Sequence, residues 1–85
     1  MRLSEIPWHD LQIGDIVSFN SFYGEIYGEI YKLISKNEKK GRYKDNIVIR
    51  WKRNNVHRIS EIYHVNSDLI EYETLLNLSL RCSQE

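Results

Sequence analysis

The sequence predicts an all-β fold: a small five-stranded barrel with a short C-terminal extension. The first observation is a series of short runs rich in β-branched and aromatic residues, separated by turn-forming and charged residues. The second is that no long segment favours a helix over short strands. The third is size, because 85 residues with 41% hydrophobic composition suffice for one small core.

The first predicted strand is Ile16-Val17-Ser18-Phe19, which follows a turn at Gly14-Asp15. The second is predicted from about Gly28 to Ser35, and residues 20–27 are expected to form a loop or an irregular hairpin. A helix over the doubled unit that begins at Gly24 is the alternative. Two glycines inside a helix cost roughly 1 kcal/mol each relative to alanine, so the strand is favoured.

The clearest predicted strand is Asn46–Trp51, in which Ile47, Ile49 and Trp51 share one face by the period of two. The segment 52–55 is predicted to be a tight turn, because its two adjacent asparagines tolerate left-handed backbone. The chain then returns as a strand over 56–59. A single helical turn within 60–65 and a last strand over 69–72 complete the five.

Domain organisation follows from these elements. Residues 1–72 are predicted to form the barrel with an N-terminal lead-in, and residues 73–85 a leucine-containing C-terminal extension. That extension carries Leu75, Leu76, Leu78 and Leu80, as a short helix or an added strand. The leucines are expected to cover the open end of the barrel; the alternative is a self-association surface.

The order of these pieces resembles the small SH3-like β-barrels, the group that includes KOW and Tudor-like domains. The lead-in over 11–17 looks like that group's first strand, and 28–33 like its second, after a long first loop. Segments 47–51, 56–60, 61–65 and 69–72 look like its third strand, fourth strand, helical turn and last strand. The resemblance implies a non-enzymatic module that binds RNA, DNA, a peptide or a modified side chain. The expected four-aromatic cage of methyl-lysine readers is absent from this sequence.

Charge is distributed unevenly along the chain. The segment 32–58 holds ten of the twelve Lys and Arg residues and only two acids, a formal +8, while the remainder is −8 and the whole is neutral. Cations interleaved with aromatic residues suit phosphates and unpaired bases. Ordinary solvated loop charges are the alternative interpretation, and Trp51 is expected in the core. The predicted nucleic-acid-binding residues are Lys39, Lys40, Arg42, Tyr43, Lys44, Arg50, Lys52, Arg53 and Arg58.

The alternative function is protein–protein interaction, as a binding module or as a phage-encoded inhibitor, with an acidic aromatic surface that favours a basic partner. An aromatic groove involving Phe22 and Trp8 would take such a partner. The competing interpretation is that tyrosines simply cover a small core with their hydroxyl groups in water. The predicted protein-binding residues are Tyr23, Glu25, Tyr27, Glu29 and Tyr31.

Other functions are not predicted. His9, His57, His64 and Cys82 have no ligand spacing, so we expect no metal and no cofactor. No nucleophile or phosphate-loop motif is present, so we expect no enzyme. The lone cysteine forms no internal disulfide, and neither a signal peptide nor a membrane-length apolar run is found, so a cytoplasmic protein is predicted. The abundance of Ile, Asn, Lys and Tyr indicates a low-GC genome, bacterial or phage.

Overall fold

The computed structural model describes residues 1–35, 45–74 and 77, and it confirms the all-β prediction. One antiparallel sheet has the strand order β4-β3-β2-β1-β5, and within the described residues it is not closed into a barrel. Short 3-10 turns occupy Leu3–Glu5, Trp8–Asp10 and His64–Asn66. The strands are β1 (Ile16–Ser21), β2 (Gly24–Ile34), β3 (Asn46–Arg53), β4 (Val56–Tyr63) and β5 (Ile70–Tyr72).

The β1–β2 connection is much tighter than the sequence predicted. Ser21 pairs with Gly24 across a loop of only Phe22 and Tyr23, so residues 20–27 form a hairpin, the second of the two predicted alternatives, but a regular one. Gly24 supplies the positive φ of 107° that this turn requires. The Ser21 hydroxyl accepts a hydrogen bond from the Tyr23 N–H (3.1 Å) and donates one to the Gly24 carbonyl (2.9 Å). These bonds close the turn, and β2 therefore begins four residues earlier than predicted.

The predicted turn at the two asparagines is confirmed. Asn54 and Asn55 have φ values of 51° and 63°, the left-handed pair of a type I′ turn. From this turn the pairing runs without a break from Arg53–Val56 to Asn46–Tyr63. The hairpin is longer than predicted at both ends, because residues 52–53 belong to β3 and the helical turn starts only after β4 ends.

The core lies against one side of the sheet, which we call the inner face. Ile30, Ile47 and Ile49 are 0–1% exposed there, and Trp51 packs against them partly buried, as the alternation predicted. Leu3 and Ile6 from the N-terminal segment belong to the same cluster. From the sequence, that segment was predicted only to be a lead-in to the barrel.

Hydrogen bonds hold the N-terminal segment in place. The Tyr72 N–H donates to the Met1 carbonyl over 2.8 Å. Arg2 forms an antiparallel backbone β-bridge with Glu71 of β5. His64 Nε2 lies 2.8 Å from the Ile6 carbonyl, so this nitrogen carries the proton that it donates. The free side of β5 is thereby covered by the start of the chain.

Gly28 has a packing role in the middle of β2. A Cβ atom there would lie 2.9 Å from Ile49 Cγ2, closer than real Cβ atoms approach, and a tight 3.2 Å from Trp51 Cβ. The two glycines of the doubled unit are therefore needed for different reasons. Gly24 adopts the positive φ of the turn, and Gly28 allows β3 side chains to approach the backbone closely. A β-bulge between Ile30 and Lys32 follows.

The described part of the C-terminal segment docks on β1. The Asn77 amide accepts a hydrogen bond from the Ile16 N–H and donates one to the Ile16 carbonyl at 3.3 Å. The Ser18 hydroxyl donates to a Glu73 carboxylate oxygen over 2.5 Å. The four leucines of the predicted extension lie outside the described residues.

Replacing Ile49 with alanine should lower the free energy of unfolding by about 2–4 kcal/mol, because the side chain is fully buried between β2 and β4. Chemical denaturation followed by circular dichroism measures this change. Val65→Ala is the matched control, since Val65 is 70% exposed and should change stability by less than about 0.5 kcal/mol. Equal effects of the two substitutions would contradict the assignment of the faces.

Candidate nucleic-acid interface

The strand register sorts the side chains of the β3–β4 hairpin onto two faces. Directly opposed residues of antiparallel strands share a face, and successive residues alternate. Trp51 opposes Arg58, and with Arg53 two residues further on they lie on the inner face. Arg50 and Lys52 therefore lie on the opposite side, which we call the outer face. The predicted cationic set is thus divided between the two faces.

Cations and aromatic rings meet on the inner face near the two hairpin turns. The Arg53 guanidinium lies 3.4 Å from the centroid of the Tyr23 ring, and that of Arg58 lies 6.0 Å from the Trp51 ring. Both contacts are within the range of cation–π attraction, and the first is a close stack. We call Phe22, Tyr23, Trp51, Arg53 and Arg58 the cation–aromatic cluster.

Trp51 anchors this cluster to the core. Its ring meets Phe19 edge-on, with centroids 5.6 Å apart and an interplanar angle of 84°. Its indole N–H donates to the Ser60 hydroxyl over 3.0 Å. The tryptophan is thus held in position by packing on one side and a hydrogen bond on the other, while Arg58 approaches its ring.

Phe22 is the most exposed large apolar residue of the described chain. It is 97% exposed at the tip of the β1–β2 hairpin, beside Tyr23, which is 68% exposed. Their rings lie 5.5 Å apart in an edge-on arrangement. From the sequence, Phe22 was predicted only to line an aromatic groove. The available signal was Gly24, because a glycine shortly after a strand-forming run is typical of a tight hairpin turn.

On the outer face, the Arg50 charge is already balanced. Glu29 Oε1 accepts hydrogen bonds from Arg50 Nε at 2.9 Å and Nη2 at 2.5 Å. The guanidinium also lies 5.1 Å from the centroid of the Tyr31 ring. Arg50 is therefore held within the sheet surface and is half-buried, whereas Lys52 on the same face is exposed.

The predicted protein-binding residues are also divided. Glu25, Tyr27 and Glu29 are spaced two residues apart on β2 and share its outer face. Tyr31 lies near them, because its ring contacts the Arg50 guanidinium. Tyr23 lies in the hairpin loop and stacks on Arg53 instead. A hydrogen bond to the Glu25 carboxylate, together with its charge, raises the pKa of Tyr27. Both acids of this surface thus have partners within the chain.

A shallow depression of about 240 Å³ lies on the outer face between β2 and β3, lined in part by Tyr27, Glu29 and Lys52. Trp8 does not extend it into the predicted aromatic groove: its ring packs against His64, with centroids 5.7 Å apart. The depression is open and its one carboxylate is paired with Arg50.

Five of the predicted nucleic-acid-binding residues lie outside the described residues: Lys39, Lys40, Arg42, Tyr43 and Lys44. In the part of the chain that the structure describes, no three His, Cys, Asp or Glu side chains converge as metal ligands would. No helix among the same residues has the length and apolar character needed to cross a bilayer. Comparison with protein-family models, with curated proteins and with solved structures found no match.

Replacing Phe22 with alanine should leave the free energy of unfolding within about 0.5 kcal/mol of the original value, because the ring is almost wholly in water. Thermal or chemical denaturation provides the measurement. Phe19→Ala is the control in the same hairpin, and it should cause a much larger loss because Phe19 packs against the core. A large loss from Phe22→Ala would show that this ring is structural.

Proposed function

We propose that the chain is a non-enzymatic binding module that contacts nucleic acid through the cation–aromatic cluster. The observation that carries the proposal is the stack of Arg53 on Tyr23 beside Trp51, Arg58 and the exposed ring of Phe22. Cations and flat rings on one surface are the mixture that single-stranded nucleic acids require.

The two arginines supply the charge of this surface. Among residues 1–35, 45–74 and 77, neither Arg53 nor Arg58 forms an ion pair, in contrast to Arg50. A planar guanidinium fits a phosphate with two parallel hydrogen bonds. Stacking on Tyr23 holds the Arg53 guanidinium in place, so less conformational entropy is lost when it binds.

The exposed ring of Phe22 supplies a surface for stacking. An unpaired base that stacks on an aromatic side chain contributes about 1–3 kcal/mol of binding energy, whatever the base. Bases inside a duplex are already stacked on each other and do not present their faces. We therefore expect single strands to be preferred over duplexes of the same length.

The fold is consistent with this function. We infer that the sheet belongs with the SH3-like barrels, because its strand order and the 3-10 turn before β5 follow the arrangement that the sequence resembles. The β1–β2 connection departs from it, since two loop residues replace the long first loop. The cations of the 36–44 segment belong to the same +8 stretch of sequence as Arg53 and Arg58.

The second candidate is protein binding through the outer face of β2. It is favoured by the alignment of Glu25, Tyr27 and Glu29 on one surface. A basic partner would have to compete with Arg50 for the Glu29 carboxylate and with the Tyr27 hydroxyl for that of Glu25. That competition places this candidate second.

Fluorescence anisotropy with a labelled single-stranded RNA, the matching DNA and the corresponding duplexes tests the first proposal. For each tenfold increase in salt concentration, the logarithm of the binding constant for single strands should fall by about 0.7 per phosphate contact. Arg53→Ala combined with Arg58→Ala should weaken binding of all sequences and flatten that slope by about 1.4, for two lost contacts. Phe22→Ala should weaken mainly the single strands, by about 5- to 150-fold, because only they can stack on the ring.

Lys52→Ala is the matched control, because it removes one cation from the same hairpin but from the outer face. If it weakens binding as much as Arg53→Ala does, the cation–aromatic cluster is not the interface. Absence of binding at low salt up to ~100 µM protein, the weak end of non-specific affinity, would contradict the proposal altogether. That result would favour the outer face, where Tyr27→Ala and Glu29→Ala should then abolish capture of a basic partner.

A further inference from the structure

The side of β4 that faces away from β3 is a long strand edge without a pairing partner among the described strands. All eight residues of β4 pair with β3 in one unbroken register, and in the described part of the chain no strand pairs with the other side. Natural proteins commonly protect such edges with lysine, proline, a bulge or a covering segment. β4 contains no lysine, proline or bulge, and its charged side chains are Arg58 on the inner face and Glu61 on the outer face, whereas the end of the sheet at β5 is covered by the N-terminal segment.

The turn determines which backbone groups of β4 point outward. In a hairpin with a two-residue loop, the residues that flank the loop exchange both hydrogen bonds, and such pairs then alternate along the ladder. Arg53 and Val56 flank this loop, so every second residue from Val56 onward is bonded to β3. The intervening residues His57, Ile59 and Glu61 direct their N–H and carbonyl groups away from the sheet.

We propose that β4 pairs antiparallel with β4 of a second copy of the chain, centred on Ile59, so that two sheets join into one of ten strands. Symmetric antiparallel strands are related by a two-fold axis perpendicular to the sheet. Opposed residues must share a face, so one residue of β4 meets its own copy at this axis. With Ile59 there, His57 opposes Glu61 twice, and all these residues present outward backbone groups.

Side-chain complementarity selects this register. On the outer face, two Ile59 side chains meet, and each His57 imidazole lies opposite a Glu61 carboxylate. On the inner face, Val56 opposes Ile62. Ile59 and Val56 are 59% and 55% exposed in the single chain, so pairing removes apolar surface from water.

The other symmetric registers are worse. Centring on Arg58 brings two guanidinium groups together, and centring on Glu61 brings two carboxylates together, which is destabilising in each case. Centring on Ser60 places each Ile59 opposite a Glu61. Of the four registers centred within residues 58–61, the Ile59 register alone matches apolar with apolar groups and cation-forming with anionic groups.

This dimer would place both cation–aromatic clusters on one side of the joined sheet, because a perpendicular two-fold axis keeps the two inner faces together. The pairing itself does not rest on the proposed function. It can therefore be tested without nucleic acid.

Sedimentation equilibrium of the full chain should show a reversible dimer of twice the 10.2 kDa chain mass. Ile59→Lys should raise the dissociation constant at least tenfold, because two ammonium groups then meet at the axis. Ile13→Lys is the matched control, since Ile13 is 68% exposed outside the strands and should leave the dimer unchanged. Thermal melts of both variants check the fold.

The register is tested by cross-linking in a Cys82→Ser background. Ile59→Cys should form an intermolecular disulfide on oxidation, because opposed Cα atoms in a hydrogen-bonded pair lie about 5.5 Å apart. His57→Cys should not, since the two copies of position 57 are offset by four residues, or about 13 Å. A monomer at the highest soluble concentration, a dimer insensitive to Ile59→Lys, or cross-linking that does not favour position 59 would overturn the proposal.

Discussion

The register of the β3–β4 hairpin is the constraint on which the arrangement of this molecule depends. Two consecutive left-handed residues, Asn54 and Asn55, set that register by closing a two-residue turn. Because side chains alternate across a sheet, a slip of one residue would move Arg58 to the opposite face. It would separate Arg58 from Trp51 and would reverse which backbone groups of β4 point outward. The composition of both surfaces therefore follows from one turn.

The two ends of the sheet have different roles. At one end, Ile30, Ile47 and Ile49 are buried in one cluster with Leu3 and Ile6 of the N-terminal segment, and this packing fixes the strands. At the other end, the hairpin turns extend beyond the core and carry Phe22, Tyr23 and Arg53. Trp51 connects the two regions, because it packs on Phe19 and also contacts Arg58. The buried part of the sheet can thus hold the exposed surface in position, so that little conformational entropy is lost when this surface binds a ligand.

Those parts of the fold that repeat a local pattern could be predicted from the sequence. The alternation of Ile47 and Ile49 and the asparagine pair each act over a few residues, and both predictions were confirmed. Burial of Leu3 could not be predicted, because 3-10 turns have no periodic apolar pattern. The pairing of Glu29 with Arg50 depends on the β2–β3 register beyond a bulge, and no local pattern fixes a bulge. The alternation along β3 already separates Arg50 and Lys52 from Trp51, but the position of Arg58 opposite Trp51 became visible only with the β3–β4 register.

Cross-strand NOEs between Hα protons test the β3–β4 register most directly, because non-hydrogen-bonded pairs bring these protons closest together. The expected pairs are Lys52 with His57, Arg50 with Ile59 and Val48 with Glu61. Observation of this series would establish that Trp51, Arg53 and Arg58 share one face. A series displaced by one residue, with Arg50 opposite Arg58, would contradict the account, since it would place that arginine on the other face of the sheet.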